Sequence, residues 1–192
     1  MVALDYKVAA SADDGHIDTN GTFYNSSIYL PMGKYSNDPW LSDKMFCRWR
    51  VTIPQGALII TANCVFVNDQ AYWAPVPEVD FSCDDQANSP AITSEADFDS
   101  RTRTTAHVKL TPPASLSNWT TGDLKTIIQE LVDSYDYSAG NSYMQLMVLS
   151  PTTGGSRFGS YDASGNASGP TLHIEYALPK PVFEGQYRRR RA

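Results

Sequence analysis

The sequence has no long apolar run and few cysteines. No segment approaches the ~20 consecutive apolar residues of a membrane-spanning helix, so none is predicted. The three cysteines, Cys47, Cys64 and Cys83, are an odd number without a CxxC spacing, which argues against a disulfide framework and a zinc site. We expect buried free thiols, with a Cys47–Cys64 bridge between neighbouring strands as the alternative.

Signatures of catalysis are also missing. There is no G-x-S-x-G nucleophile elbow, and His16, His107 and His173 lie far apart in the sequence. The carboxylates lie mostly in predicted loops, where no pair has the apolar surroundings that the acid of a glycosidase needs. The sequence therefore predicts a protein that is not an enzyme, with structural or surface roles for its histidines.

The charge is unevenly distributed along the chain. There are 15 basic and 21 acidic residues, a net charge of −6, and four arginines form one block at 188–191. Without that block, 11 basic residues face 21 acidic ones, so the body carries −10, and its field does not favour nucleic acid. The block offers bidentate donors to carboxylates and phosphates. A solvated tail, a partner-docking segment and nucleic-acid binding stay open as its roles.

What the sequence does contain is the composition of a β-rich domain. Its 192 residues fit one domain, and 12 Gly, 12 Pro and 11 Tyr favour strands and loops. Alternating apolar residues predict a strand at 46–53, and a Pro-Gln-Gly turn follows it. Other strands are predicted at 4–10, 26–30, 57–67, 102–110, 143–149, 157–161 and 171–176. Turns are predicted at 13–15 and 20–21, and long loops, with a short strand at 91–93, at 68–100.

One helix is predicted, at about 121–137. Apolar residues within it recur at i, i+3, i+4, i+7, i+8 and i+11, which forms a single stripe. Thr120 with Asp123 resembles a capping box, and Gly140 ends the segment. The elements together predict a mainly all-β fold, an antiparallel jelly-roll-like β-sandwich over 1–176 with one covering helix. Residues 177–192 are predicted to form an extended C-terminal arm, because Pro179 and Pro181 cannot continue a sheet.

Two groups of residues are candidates for binding. In the arm they are Phe183, Tyr187, Arg188, Arg189, Arg190 and Arg191, as contacts to a partner. The others are aromatic residues in predicted loops or at strand ends, which stack on glycans, anchor partners, or fold onto the domain's own edges: Trp40, Tyr72, Trp73, Phe81 and Trp119. Acids at 13–14, 80, 97 and 99 are oxygen ligands of the kind Ca²⁺ prefers. Solvated acidic loops are the favoured interpretation over a structural calcium, and no cofactor is expected.

Three stretches resemble one family when they are taken together. They are RWRVTIPQGALIITA at 48–62, DLKTIIQELVDSYDYSAGNSYMQLMVL at 123–149 and SYDASGNASGPTLHIEY at 160–176. They resemble β-sandwich domains related to carbohydrate-binding modules, of the DNRLRE and disaggregatase-related type. Such domains occur in large bacterial surface proteins and as short proteins of tailed bacteriophages, and VAASADDGHID fits the phage versions. These scaffold motifs indicate a fold and no activity.

The resemblance implies a phage setting, and from it we expect a virion structural protein. The leading hypothesis is a capsid decoration (cement) protein on the major capsid protein's shell, a homotrimer in keeping with its general class. The N-terminal stretch lacks a basic region followed by an apolar one, so we expect synthesis in the host cytoplasm without a signal peptide. A tail-fibre or baseplate adhesin that binds glycans is the alternative, and a glycan-acting enzyme is the third hypothesis.

Overall fold

The computed structural model describes residues 1–33, 44–73, 78–150, 154–164 and 167–178. The strands in this part of the chain are Val2–Lys7 (β1), Asp14–Ile17 (β2), Phe23–Tyr24 (β3), Tyr29–Met32 (β4), Lys44–Val51 (β5), Leu58–Phe66 (β6), Asn68–Trp73 (β7), Val79–Cys83 (β8), Val108–Leu110 (β9), Trp119–Thr120 (β10), Ser142–Leu149 (β11), Gly155–Gly159 (β12) and Thr171–Ala177 (β13). The helices are Glu95–Ser100 (α1), Lys125–Ser134 (α2) and Tyr161–Ser164 (α3), and Ser11–Asp13 forms a 3-10 turn.

The strands form three antiparallel sheets. Sheet A has the order β1-β13-β6-β10, sheet B the order β3-β2-β5-β11-β8-β9, and sheet C the order β4-β12-β7. Side chains from sheets A and B share one buried core, to which β5 contributes Trp49, β6 contributes Cys64 and β13 contributes Ile174. The fold is therefore the mainly β, antiparallel sandwich that the alternating pattern predicts.

The connection between β5 and β6 is the predicted Pro-Gln-Gly turn. Gly56 has a φ of 71°, a left-handed conformation that glycine adopts without steric cost. The Ala57 N–H donates to the Pro54 carbonyl at 3.2 Å. This turn reverses the chain at the end of the sandwich, so that β5 lies in sheet B and β6 in sheet A.

Helix α2 covers the core and also protects one edge of β6. Its apolar stripe is buried, with Ile127 and Leu131 at 0% exposure. Beside it, the Gln129 amide donates from Nε2 to the Ala57 carbonyl (3.0 Å) and accepts from the Ile59 N–H through Oε1 (2.8 Å). These bonds satisfy backbone groups at the start of β6, which an unprotected edge would offer to another strand.

The start of α2 differs from the prediction. The helix begins at Lys125 after Leu124, and no side chain caps it. Thr120 lies in β10, so the predicted capping box is wrong. Asp123 instead accepts from the N–H groups of Lys125 (3.0 Å) and Ala62 (3.3 Å). The described residues also contain the short helices α1 and α3, which the single-helix prediction missed because they are shorter than two full turns of the apolar period.

All three cysteines are buried and free. This confirms the expectation of free thiols, and the alternative Cys47–Cys64 bridge is wrong. Burial raises the pKa of each thiol above its ordinary value. The cysteines therefore pack as small apolar side chains in the core.

Candidate functional site

Most of the predicted binding residues lie outside the described part of the chain. These are Trp40, Phe183, Tyr187, Arg188, Arg189, Arg190 and Arg191. Tyr72 and Trp73 lie in β7, at one edge of sheet C. Their binding roles stay predictions.

Trp119 is a core residue, so its prediction as an exposed binding ring is wrong. It is only 7% exposed. Its ring lies 5.7 Å from that of Phe66 and 5.8 Å from those of Phe81 and Phe158, measured between centroids. Phe81 is fully buried in the same cluster. Trp119 lies in β10 and Phe81 in β8, at positions that face the core. The sequence alone places them in loops or at strand ends because both strands are too short to give an alternating pattern.

Most of the acidic residues considered as calcium ligands contact basic side chains, the exception being the buried Asp14. Asp13 pairs with Arg48, Asp99 with Lys44 (2.8 Å) and Asp80 with His107 (3.0 Å). Among the described residues, no group of three or more His, Cys, Asp or Glu side chains converges as a metal site would require. The predicted turn at 13–15 is also wrong, because Asp13 ends the 3-10 turn and β2 begins at the next residue.

The outer face of sheet B is covered by residues 84–101, which we call the covering segment. Apolar side chains from both sides of this contact form a second buried cluster, in which Ile92 and Phe98 of the segment pack with Phe46 and Met147 of the sheet. The predicted strand at 91–93 is therefore wrong, because these residues form no strand pairing and only Ile92 among them is buried. The segment hides the face that the alternation in β5 predicts to be exposed to solvent.

Arg101 holds the covering segment together, because its partners lie at separate points along that segment. Its guanidinium donates to Asp84 (2.7 Å), to Asp97 (3.0 Å) and to the Pro90 carbonyl (2.9 Å). The side chains of Arg101 and Asp84 are only 4% and 2% exposed, and the Arg101 hydrogen bond holds the pKa of Asp97 below its ordinary value. A planar guanidinium suits this site because one group ties together several acceptors.

Two further cations hold the other side of the segment. Lys44 contacts Glu95 (2.7 Å) and Asp99 (2.8 Å) of α1. Arg48 donates to the Ser89 carbonyl (3.3 Å), and its guanidinium lies 4.2 Å from the centre of the Tyr143 ring. Two acids that the sequence places in loops, Glu95 and Asp99, therefore fasten this segment to Lys44 of sheet B.

The outer face of sheet A is open by comparison. In sheet A, the outward-facing residues of β1, β13 and β6 lie directly opposite one another. None of these side chains is buried. They are mostly small, polar or β-branched: Ala3, Asp5, Lys7, Thr171, His173, Glu175, Thr61, Asn63 and Val65. At its centre the His173 imidazole lies 2.7 Å from Asp5 and 3.7 Å from Glu175. No described segment buries the outward side chains of these three strands.

Two titratable groups of β2 are buried on the inward side. Asp14 is 1% exposed, and one carboxylate oxygen accepts from the Tyr161 N–H (2.8 Å) while the other has no partner among the described residues. Burial raises the pKa of Asp14 to about 7. His16, stacked on Tyr24, is 5% exposed, and burial lowers its pKa to about 4. Both groups therefore favour their neutral forms.

The comparisons with known proteins add no relatives. No known family model matches the chain, and a search of the curated proteins found no significant match. Within the described residues, no helix has the length and apolar character to cross a membrane. The open face of sheet A therefore stands as the candidate binding surface on its geometry alone.

Proposed function

We propose that this chain is a virion structural protein, a capsid decoration protein that binds and stabilises the major capsid shell of a tailed bacteriophage. The observation that carries the proposal is the open outer face of sheet A, next to the point where the C-terminal residues leave β13. A regular strand surface whose outward side chains are not buried suits contact with another protein. The resemblance to phage β-sandwich proteins supports the same setting.

The size of the face argues for multivalent attachment. Strands ~4.8 Å apart, with six or seven residues of ~3.3 Å each, give a face of roughly 300 Å² over the three long strands of sheet A. A standard stable interface buries ~800 Å² on each partner. The face alone gives less than half of that, so attachment needs either the arm or many copies bound to one repeating lattice.

Copy number tests the proposal. Intact particles are purified from the producing cells, and the chain is counted by quantitative mass spectrometry against the most abundant shell protein. Hundreds of copies, in a fixed ratio to that protein, are expected for a decoration protein. A handful of copies would contradict decoration and favour a tail adhesin, and absence from the particles would reject a virion role.

A surface variant tests the face itself. Asn63→Arg places a long charged side chain at the centre of the open face, opposite His173, and is expected to leave the melting temperature unchanged while particle occupancy falls. Ala87→Arg is the control, since Ala87 is exposed on the segment that covers sheet B. Equal occupancy for both variants would show that sheet A does not contact the particle.

A further inference from the structure

A groove of about 590 Å³ lies between the start of β6 and the exposed side of α2. Its apolar part is formed by Leu58 and Ile59, and Leu58 is 63% exposed. Leu178, directly after β13, is 61% exposed. Because Ala177 pairs with Leu58 in the sheet, these two large exposed leucines lie at the same corner of the molecule, where burial by a partner would be favourable.

The rim of this groove is acidic. The helix contributes Glu130 and Asp133, against the single cation Lys125 among the lining residues. Lys125 is already paired with Asp123, at 3.4 Å. With Asp123 included, three carboxylates therefore face one ammonium group. An occupant with an apolar segment and a cluster of cations would be complementary to this groove in both respects.

The carboxylates of this rim are held in place by neutral donors. Glu130 accepts from the N–H groups of Thr105 (2.7 Å) and Ala106 (2.6 Å). Asp133 accepts from the Gln129 amide at 2.8 Å. These bonds orient the carboxylates and leave their negative charge in place, so the rim is prepared for a cationic partner.

The chain itself contains such a segment directly after β13. The 14 residues 179–192 carry Val182 and Phe183, followed by the four arginines 188–191. Fully extended, 14 residues span up to ~46 Å, which is enough to reach a neighbouring molecule. Arginine also forms bidentate bonds with carboxylates more readily than lysine does.

The direction of β13 favours a neighbour's groove over the chain's own. β13 is antiparallel to β6 and leaves the sheet beside Leu58. Lys125, which lines the groove, lies near the middle of β6 and away from Leu58. The reason is that α2 starts near Ala62, whose carbonyl accepts from the Leu124 N–H at 2.7 Å. To fill its own groove the chain must turn back after Leu178, whereas prolines at 179 and 181 favour extended backbone in the residues that precede them.

We infer that the groove between Leu58 and α2 binds the C-terminal residues 179–192 of a second copy of this chain. Val182 and Phe183 of one copy cover Leu58 of the next, and the arginine block binds the carboxylates of Glu130 and Asp133. Such a contact joins two different surfaces, so copies linked by it form a reciprocal dimer, a ring or an open filament, depending on the rotation between them. It concerns contacts between copies and stands whether or not the particle is a capsid.

Solution mass provides the first test, with the full chain and light scattering after size exclusion. The native chain is expected to be an oligomer that dissociates as salt is raised, because screening weakens arginine–carboxylate contacts. Leu58→Asp is expected to give a monomer with an unchanged melting temperature. Leu116→Asp, at a residue that is 58% exposed, is the control and is expected to stay oligomeric. A monomeric native chain, or an oligomer that survives Leu58→Asp, would overturn the inference.

Cross-linking distinguishes an arm that binds the groove of a neighbouring copy from an arm that binds the groove of its own chain. The native thiols are all buried, so in a chain carrying Leu58→Cys and Phe183→Cys the oxidation reports on the two introduced cysteines. Isotopically heavy and light chains are mixed, oxidised and digested. Disulfide-linked peptides that join a heavy Cys at 58 to a light Cys at 183 are expected. Linked peptides from single chains only would show that each arm fills its own groove, and no link between these positions would equally reject the exchange.

Discussion

The two outer faces of this sandwich differ in how their charges are used. The outer face of sheet B is shielded from water, because the covering segment packs Ile92 and Phe98 on it and Arg101 fastens the segment. The outer face of sheet A is solvated, and at its centre the His173 imidazole is hydrogen-bonded to Asp5; these side chains are 29% and 65% exposed respectively. Charges on the first side hold the fold together, whereas charges on the second side are accessible for recognition.

This difference follows from burial. Exposed ion pairs contribute ~0–1 kcal/mol because water screens them. Removing one partner of a buried pair costs ~3–5 kcal/mol, because an uncompensated charge is left in the interior. Removing a partner from the buried ion pairs of the covering segment should therefore change stability, and substitutions at the exposed pair on sheet A should change binding alone.

The largest effect is expected at Arg101. Arg101→Met keeps much of the side-chain volume but leaves the 2% exposed Asp84 without its cation, so the free energy of unfolding should fall by ~3–5 kcal/mol in urea titration. Lys109→Met is the control, since Lys109 and Glu78 are 3.6 Å apart and about half exposed. Equal losses in the two variants would remove the distinction between a buried and an exposed ion pair.

The next effect is expected in the pH dependence of stability, at the buried residues Asp14 and His16 of β2. Asp14 holds a proton between pH 3.8 and about 7 in the folded state alone, so its contribution to stability is full below pH 3.8 and is lost as pH rises to about 7. His16, shifted from 6.5 to about 4, contributes fully above pH 6.5 and loses its contribution as pH falls to about 4. In the native chain the two slopes nearly cancel between pH 4 and 6.5.

Substituting either residue should reveal the slope of the other. In Asp14→Asn the free energy of unfolding is expected to rise by ~3 kcal/mol from pH 4 to 6.5, from the His16 shift of about 2.5 pH units at ~1.36 kcal/mol each. In His16→Gln it is expected to fall over the same interval. Chemical denaturation across pH measures both, and parallel profiles in the two variants would contradict the assignment.

A smaller effect is expected at the cap of α1, within the covering segment. The Ser94 hydroxyl accepts from the Asp97 N–H at 3.1 Å, so Ser94→Ala should cost ~1 kcal/mol. Because α1 carries Phe98 and the partners of Lys44, amide hydrogen exchange in 94–101 should rise in this variant. Uniform exchange across the whole domain would mean that the segment does not open on its own.

The smallest effect is expected at His173 on the open face. His173→Ala removes an exposed pair with Asp5, and the free energy of unfolding should change by less than ~1 kcal/mol. The measurement is a urea titration beside that of Arg101→Met. A loss as large as that of Arg101 would mean that sheet A also depends on its surface charges.

Much of the scaffold was predictable from the sequence because its signals are local. The alternation around Trp49, the stripe at Ile127 and Leu131, and the turn at Gly56 each depend on a short period or on a single glycine. The covering segment was not predictable in this way. Arg101 reaches Asp84 across 17 positions, and Ile92 is buried by strands that are distant in the sequence, so neither contact leaves a periodic signal.

The open face was predictable only in part. Alternation along β13 predicts His173 and Glu175 on one side and Leu172, Ile174 and Tyr176 on the other, which the burial pattern confirms. Alternation does not indicate which sheet face another segment covers. That depends on where the covering segment folds, and its acids resemble solvated loop residues because their partner Lys44 is about 50 positions away.

The pairing of β1 with β13 has a mechanical consequence. Val2 lies opposite Tyr176, so the first described strand begins and the last one ends at the same corner of sheet A. A pull applied to the two chain ends would separate β1 from β13 by breaking their backbone hydrogen bonds one after another, so the resistance at each step would be small. A load is therefore resisted better through the broad surface of the domain than through its two ends, and a tag placed on the N-terminus will sit beside the end of β13.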